Sequence, residues 1–153
     1  MQLTRAADYA VRAMMHLATL PQGTRVNIGE LARASEAPNH FMSKVLQQLV
    51  HGGLVVSRRG ENGGFELAMP PEEISMLRVV EAIEGRFALN NCLASDTACL
   101  RSEWCAAHDV WAEAQGAMVQ VLANASIARL AQQSAANREK LEPGICVLAG
   151  SPA

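Results

Sequence analysis

The chain is expected to fold as a mainly α protein with one small β hairpin, and three observations predict it. Apolar residues recur at helical spacing through most of the first 85 positions and again after Cys105. Two short strand-like runs flank a single glycine-rich loop, Arg59-Gly60-Glu61-Asn62-Gly63-Gly64. Half of the 153 residues are hydrophobic, which suits a packed core rather than a disordered chain.

Each element follows from its own residues. Thr4 is a plausible N-cap for a first helix within Leu3 to Leu20, where Tyr9, Ala10, Ala13, Met14 and Leu17 share a face and Pro21 forbids continuation. Gln22 and Gly23 make a turn. Asn27, with Glu30 three residues on, resembles a capping box and starts a short helix, Ile28 to Ala34. Ser35 to Pro38 breaks the chain. Phe41, Val45, Leu46 and Leu49 then form one stripe from Pro38 to about His51, where Gly52 and Gly53 stop the helix. A longer helix followed by two short ones across a tight turn is the helix-turn-helix arrangement, whose last helix can enter a major groove. Leu54 to Arg58 and Phe65 to Met69 form the hairpin, or wing. Pro70 and Pro71 end it, and Ser75 caps a further helix carrying Leu77, Val80 and Ile83 up to Gly85.

Arg86 to Trp104 has no sustained periodicity and reads as a loop, exposed or organised by a bound group. After Cys105 a long helix runs to about Ala123, with Val110, Trp111, Ala114, Met118, Val121 and Leu122 on one side. At about 1.5 Å per residue it spans roughly 27 Å. Such a striped helix can pair with a copy of itself across a two-fold axis, so a homodimer is expected. Ser126 to about Ser134 reads as a shorter helix presenting Ile127 and Leu130, and beyond Pro143 the chain is tail-like.

Charge is unevenly spread. The net charge is −2, but seven basic against five acidic residues fall in positions 1–70, and six against ten in the remainder. A nucleic-acid face must therefore come from local clustering. Asn39, His40, Ser43, Lys44 and Gln47 lie opposite the apolar stripe of their helix. Amides there suit adenine edges, and Lys44 suits phosphate or guanine. Arg58 and Arg59 stand where a hairpin tip reaches a narrow minor groove, while Gly60, Asn62, Gly63 and Gly64 form a tight loop able to approach the sugar-phosphate rail. A solvated helix face and an ordinary hairpin would carry similar residues.

No apolar run approaches the roughly 18 residues of a membrane span, and the start lacks a signal core, so a cytoplasmic protein without membrane partners is expected. In that reducing compartment cysteines serve as ligands, redox centres or core fillers. Cys92-x6-Cys99-x5-Cys105-x2-His108 crowds soft donors into one polar, irregular stretch. Zinc sites use tighter pairs, whereas an iron-sulfur cluster offers several iron corners to separated ligands. The spacing matches neither ferredoxin pattern. Cys146, in the apolar patch Gly144-Ile-Cys-Val-Leu148, reads as packing.

The stretch from Met1 to Met14, the segment from Gly53 to Gly64 and the cysteine triad together resemble the Rrf2 family of bacterial regulators, in its cluster-bearing IscR, NsrR and RirA branches, over about residues 1–135. The resemblance implies a homodimeric winged-helix transcription factor, most simply a repressor on a pseudo-palindromic duplex operator. Its affinity would be set by an iron-sulfur cluster, 2Fe-2S or 4Fe-4S, that senses nitric oxide, iron status or redox stress. It further implies Cys92, Cys99 and Cys105 as ligands, with a fourth from His108, as in IscR-like proteins, or Asp8 of the other subunit, as in NsrR-like ones. The chain departs from the IscR pattern at Ser43, where a base-reading glutamate is usual, so no operator sequence carries over.

The expected organisation is a DNA-binding domain over residues 1–85, a cluster-binding loop over 86–104, a dimerisation helix and following short helix over 105–135, and a tail over 136–153. The alternative is a cluster-free regulator of the same fold controlled by thiol oxidation or by an enzyme partner. An enzyme or ferredoxin-like carrier is disfavoured by the lack of a catalytic constellation or nucleotide motif.

Overall fold

The computed structural model describes residues 3–60, 63–95 and 99–141. Helix α1 spans Arg5–Ala18, α2 Ile28–Ala34 and α3 Asn39–His51. Strands β1, Val55–Arg58, and β2, Gly64–Leu67, form the wing, and α4 covers Met76–Glu84. A 3-10 turn at Asn91–Leu93 interrupts the long loop before α5, Ala106–Asn124, and α6, Ile127–Glu139. Local chemistry sets these boundaries. Backbone N–H groups of Ala7, Glu30, Arg78 and Arg129 donate to the side chains of Thr4, Asn27, Ser75 and Ser126, so α1, α2, α4 and α6 each start with an orphan donor satisfied, while α3 and α5 start at Pro38 and Cys105 with no side-chain cap.

One core joins these elements. Met14 and Leu17 of α1, Leu31 of α2, Met42, Val45, Leu46 and Leu49 of α3, Val55 of β1 and Val79 of α4 are buried together. The stripe expected on α3 is present, with Phe41 only half-buried against Tyr9 and Met42 taking a fully buried place. On α4, Val79 joins Val80 in the core while Leu77 is half-buried. That helix packs against α1, α3 and α5, so its buried arc is wider than one stripe.

β1 and β2 pair antiparallel, Val55 with Leu67 through Arg58 with Gly64. Val26 adds a one-residue third strand by exchanging both backbone hydrogen bonds with Phe65, at 3.0 and 2.9 Å.

The carboxy-terminal helix differs from the expectation in length and place. It runs to Glu139 rather than about Ser134, because Ala135 and Ala136 continue a strong helix-forming run. Its first residue, Ile127, is fully buried in the amino-terminal core. Hydrogen bonds from Met76 N to Ala125 O and from Ile127 N to Ile74 O, both 2.8 Å, zip the roots of α4 and α6 together. Helix α5 thus leaves the domain and α6 returns to it. No residue of α5 is buried, and Val110, Trp111, Met118 and Val121 stand exposed. Among the described residues, no helix is long and apolar enough to cross a membrane.

Candidate functional site

The first constellation is the exposed side of α3 with the wing. Burying Val45, Leu46 and Leu49 turns Asn39, His40, Lys44 and Gln47 to solvent, with Ser43 half-buried at the margin. His40 sits edge-on to Phe41 at 6.4 Å between ring centroids. Arg58, Arg59 and Gly60 are exposed at the wing, and Asn62 lies outside the described residues. Gly63 closes the turn by donating its N–H to Gly60 O at 2.9 Å. A Cβ there would stand 2.5 Å from Arg58 O and 2.8 Å from Gly60 O, so only glycine fits.

Two wing residues escaped the sequence reading. Glu66 lies on the outward sheet face, its side chain 13% exposed, and accepts from Arg25 Nε at 3.3 Å while Arg58 Nε stands 3.5 Å away. The only sequence signal was a strand-forming Val26 just before the Asn27 cap, too short to register as an element.

The second constellation is the thiol segment. Cys92 lies in the 3-10 turn, Cys99 just before Leu100 and Arg101, and Cys105 at the N-cap of α5. All three are free and half-buried. Cys105 N donates to Arg101 O at 2.9 Å, and both the N–H and the hydroxyl of Ser102 donate to Cys99 O. The loop is also tied to its neighbours. Phe87 N donates to the Glu81 carboxylate of α4 at 3.2 Å, and Leu89 N to Gln115 Oε1 of α5 at 2.8 Å.

Among the described residues, no three His, Cys, Asp or Glu donors stand grouped as for a single metal ion. The donor chemistry nevertheless fits a multi-iron group: three reduced thiols spread along an irregular, partly exposed segment are soft ligands for separate corners. His108 sits three residues into α5 from Cys105, at the same helix end, and its backbone N–H donates to Cys105 O at 2.8 Å. Asp8 is far along the chain, in the first turn of α1. Its carboxylate pairs with Arg12 at 3.0 Å, and Arg12 also holds Glu36 at 3.0 Å. Cys146 lies outside the described residues.

Comparisons with known proteins agree with this architecture. Residues 3–133 match Rrf2, described as an iron-dependent transcriptional regulator family. The HTH-type transcriptional regulator NsrR of Geobacillus kaustophilus is 32% identical over 143 residues, covering 93% of this chain and 97% of its own. Two solved structures share the fold. CymR (YrzC), the global cysteine regulator of B. subtilis, superposes with a TM-score of 0.71 at 20% identity, covering 87% of this chain and 98% of its own. IscR of T. potens gives 0.70 at 21% identity, covering 94% of each chain. A winged helix-turn-helix with one exposed reading helix, matched to the family over nearly its whole described length, identifies the chain as a member of the Rrf2 family of DNA-binding transcriptional regulators.

Proposed function

We propose that the protein is a cytoplasmic, homodimeric repressor that binds a pseudo-palindromic duplex operator and releases it according to the state of an iron-sulfur cluster on Cys92, Cys99 and Cys105. The observation that carries this reading is the thiol segment itself: three free, half-buried cysteines on an irregular loop tethered to α4 and α5. A packed core has no use for donors so placed. His108 is the better fourth ligand within one protomer, since it shares the start of α5 with Cys105, whereas Asp8 stands on α1.

When bound, such a cluster would supply an iron corner reactive toward nitric oxide or oxygen and most labile where a nitrogen donor replaces sulfur. The protein's own residues connect that segment to the reading helix. Glu81 of α4 accepts from Phe87 of the loop, and two residues further along α4 the Ile83 carbonyl accepts from Gln48 of α3 at 3.2 Å. A shift of the loop therefore bears on α3 through a single short helix. A hundredfold change in operator affinity requires only about 2.7 kcal/mol of differential stabilisation.

Protein isolated without oxygen should contain iron and acid-labile sulfide at about one cluster per subunit, and Cys99→Ala should lose both. Full cluster occupancy in Cys99→Ala would contradict the assignment. Free thiols also suit a cluster-free switch, and the same preparation separates the two: a thiol switch responds to peroxide with no iron present.

A further inference from the structure

We infer that the cleft between α1 and α6 is a binding site for a short aliphatic dicarboxylate, gripped by Arg12 and Arg138, and that its occupation releases the turn before the reading helix. The site stands independently of the thiol segment, while its effect on DNA rests on the proposed role of α3.

The cleft begins as a matter of side-chain size. Helix α1 lines it with Arg12, Met15, His16 and Thr19, and α6 with Ala131, Ser134, Ala135 and Arg138, each set recurring at i, i+3, i+4 and i+7. Three of the four residues on α6 are small, so two helices that pack together in the fold still leave about 700 Å³ between these faces. That volume lies within the roughly 300–1,000 Å³ of sites for small organic molecules. Ala34 and Glu36, at the end of α2, close the third side.

The lining then selects the ligand. A guanidinium on each helix matches a carboxylate at each end of one molecule, since arginine and carboxylate pair through two parallel hydrogen bonds. Met15, Ala131 and Ala135 offer an apolar bed for a short run of methylenes. A compact anion such as phosphate has no second group for the far helix. His16 serves as wall, because its Nε2 is covered and stands 3.8 Å from Glu30 Oε1.

Glu36 decides what binding does. Its φ is 55°, and among the described residues it alone adopts a positive φ without being glycine. It follows the C-cap of α2, a place that favours glycine, and Ala37 N closes the turn on Ala32 O at 2.9 Å. Arg12 donates to the Glu36 carboxylate at 3.0 Å, with the two side chains 42% and 79% exposed. So exposed a pair is weak and open to exchange. A ligand carboxylate that takes Arg12 leaves Glu36 in a strained conformation with its partner gone, three residues before α3 begins.

The test is calorimetric titration of the full chain with the straight-chain dicarboxylates malonate to adipate, against propionate, inorganic phosphate and neutral succinamide. One of the dicarboxylates should saturate a single site per subunit at least about tenfold more tightly than propionate or phosphate, and succinamide should give no heat. Arg138→Ala should weaken that binding by about tenfold or more, and Ala135→Leu, which fills the cleft from an exposed helix position, should abolish it with the melting temperature unmoved. Glu36→Gln should tighten it by about threefold by removing the competitor for Arg12. No saturable dicarboxylate, or equal binding to wild type and Arg138→Ala, would overturn the site. The bound dicarboxylate should also change affinity for a duplex selected from a random pool by about threefold or more in wild type but not in Arg138→Ala. Unchanged duplex affinity at saturating ligand would overturn the coupling through Glu36 and leave the site standing. A protein that bound the dicarboxylate yet selected no duplex would instead overturn the reading of α3 as the DNA interface.

Discussion

At the scale of single residues, the wing shows how little tolerance a short turn has. Gly63 donates to Gly60 O and carries no side chain because the Arg58 and Gly60 carbonyls occupy the space where one would go. Gly63→Ala should therefore open the turn, costing on the order of 1–3 kcal/mol locally. The hairpin lies at the edge of the core, so the melting temperature should fall by only a few degrees. Affinity for DNA should fall much more, with faster amide exchange confined to β1, β2 and Val26. Unchanged affinity and exchange would show that the turn relaxes freely and that its geometry is not what positions Arg58 and Arg59. Asp8 illustrates a different kind of placement. Its carboxylate pairs with Arg12, and Arg12 also reaches Glu36 in the turn between α2 and α3, so an exposed surface network ties α1 to the helix-turn-helix.

At the scale of elements, α6 belongs to the DNA-binding core although it follows the long helix in sequence. Ile127 is fully buried with α1 and α4 residues, so Ile127→Ala should destabilise the amino-terminal unit by about 2–5 kcal/mol in denaturant unfolding. A loss confined to self-association, with the unfolding midpoint unmoved, would make α6 an accessory of α5 instead. The helix starts were legible because Thr4, Asn27, Ser75 and Ser126 announce themselves by chemistry that acts within three residues. The hairpin was legible for the same local reason. What stayed hidden depends on distant neighbours. Met42 and Val79 are buried because their helices are covered on more than one side, and Val26 becomes a strand only when Phe65 arrives. The site divides likewise. The outward set on α3 could be read as the complement of its stripe, except that Ser43 is half-buried, whereas the Arg25, Glu66 and Arg58 row exists only through tertiary pairing.

At the scale of the whole molecule, α5 carries three duties at different points along one rod. Cys105 and His108 stand at its start, Gln115 holds the thiol loop near its middle, and its end turns at Ala125 into the joint between α4 and α6. Along the same rod Trp111, Met118 and Val121 form an apolar stripe at helical spacing that stands exposed among the described residues, Val121 being 69% exposed. The proposed dimer would cover that stripe, so the surface that joins two protomers and the segment that holds the thiols would move as one body. Val121→Asp places a charge in the stripe without touching the core or the cysteines. It should shift the protein from dimer to monomer in sedimentation at micromolar concentration while leaving the thermal unfolding of the winged domain nearly unchanged. Because two linked half-site contacts are worth far more than one, affinity for a selected palindromic duplex should drop by about a hundredfold or more, and affinity for a single half-site should change little. A variant that remained dimeric would place the two-fold contact elsewhere, and one that became monomeric yet held the palindrome at full strength would mean that α5 does not couple the two reading helices.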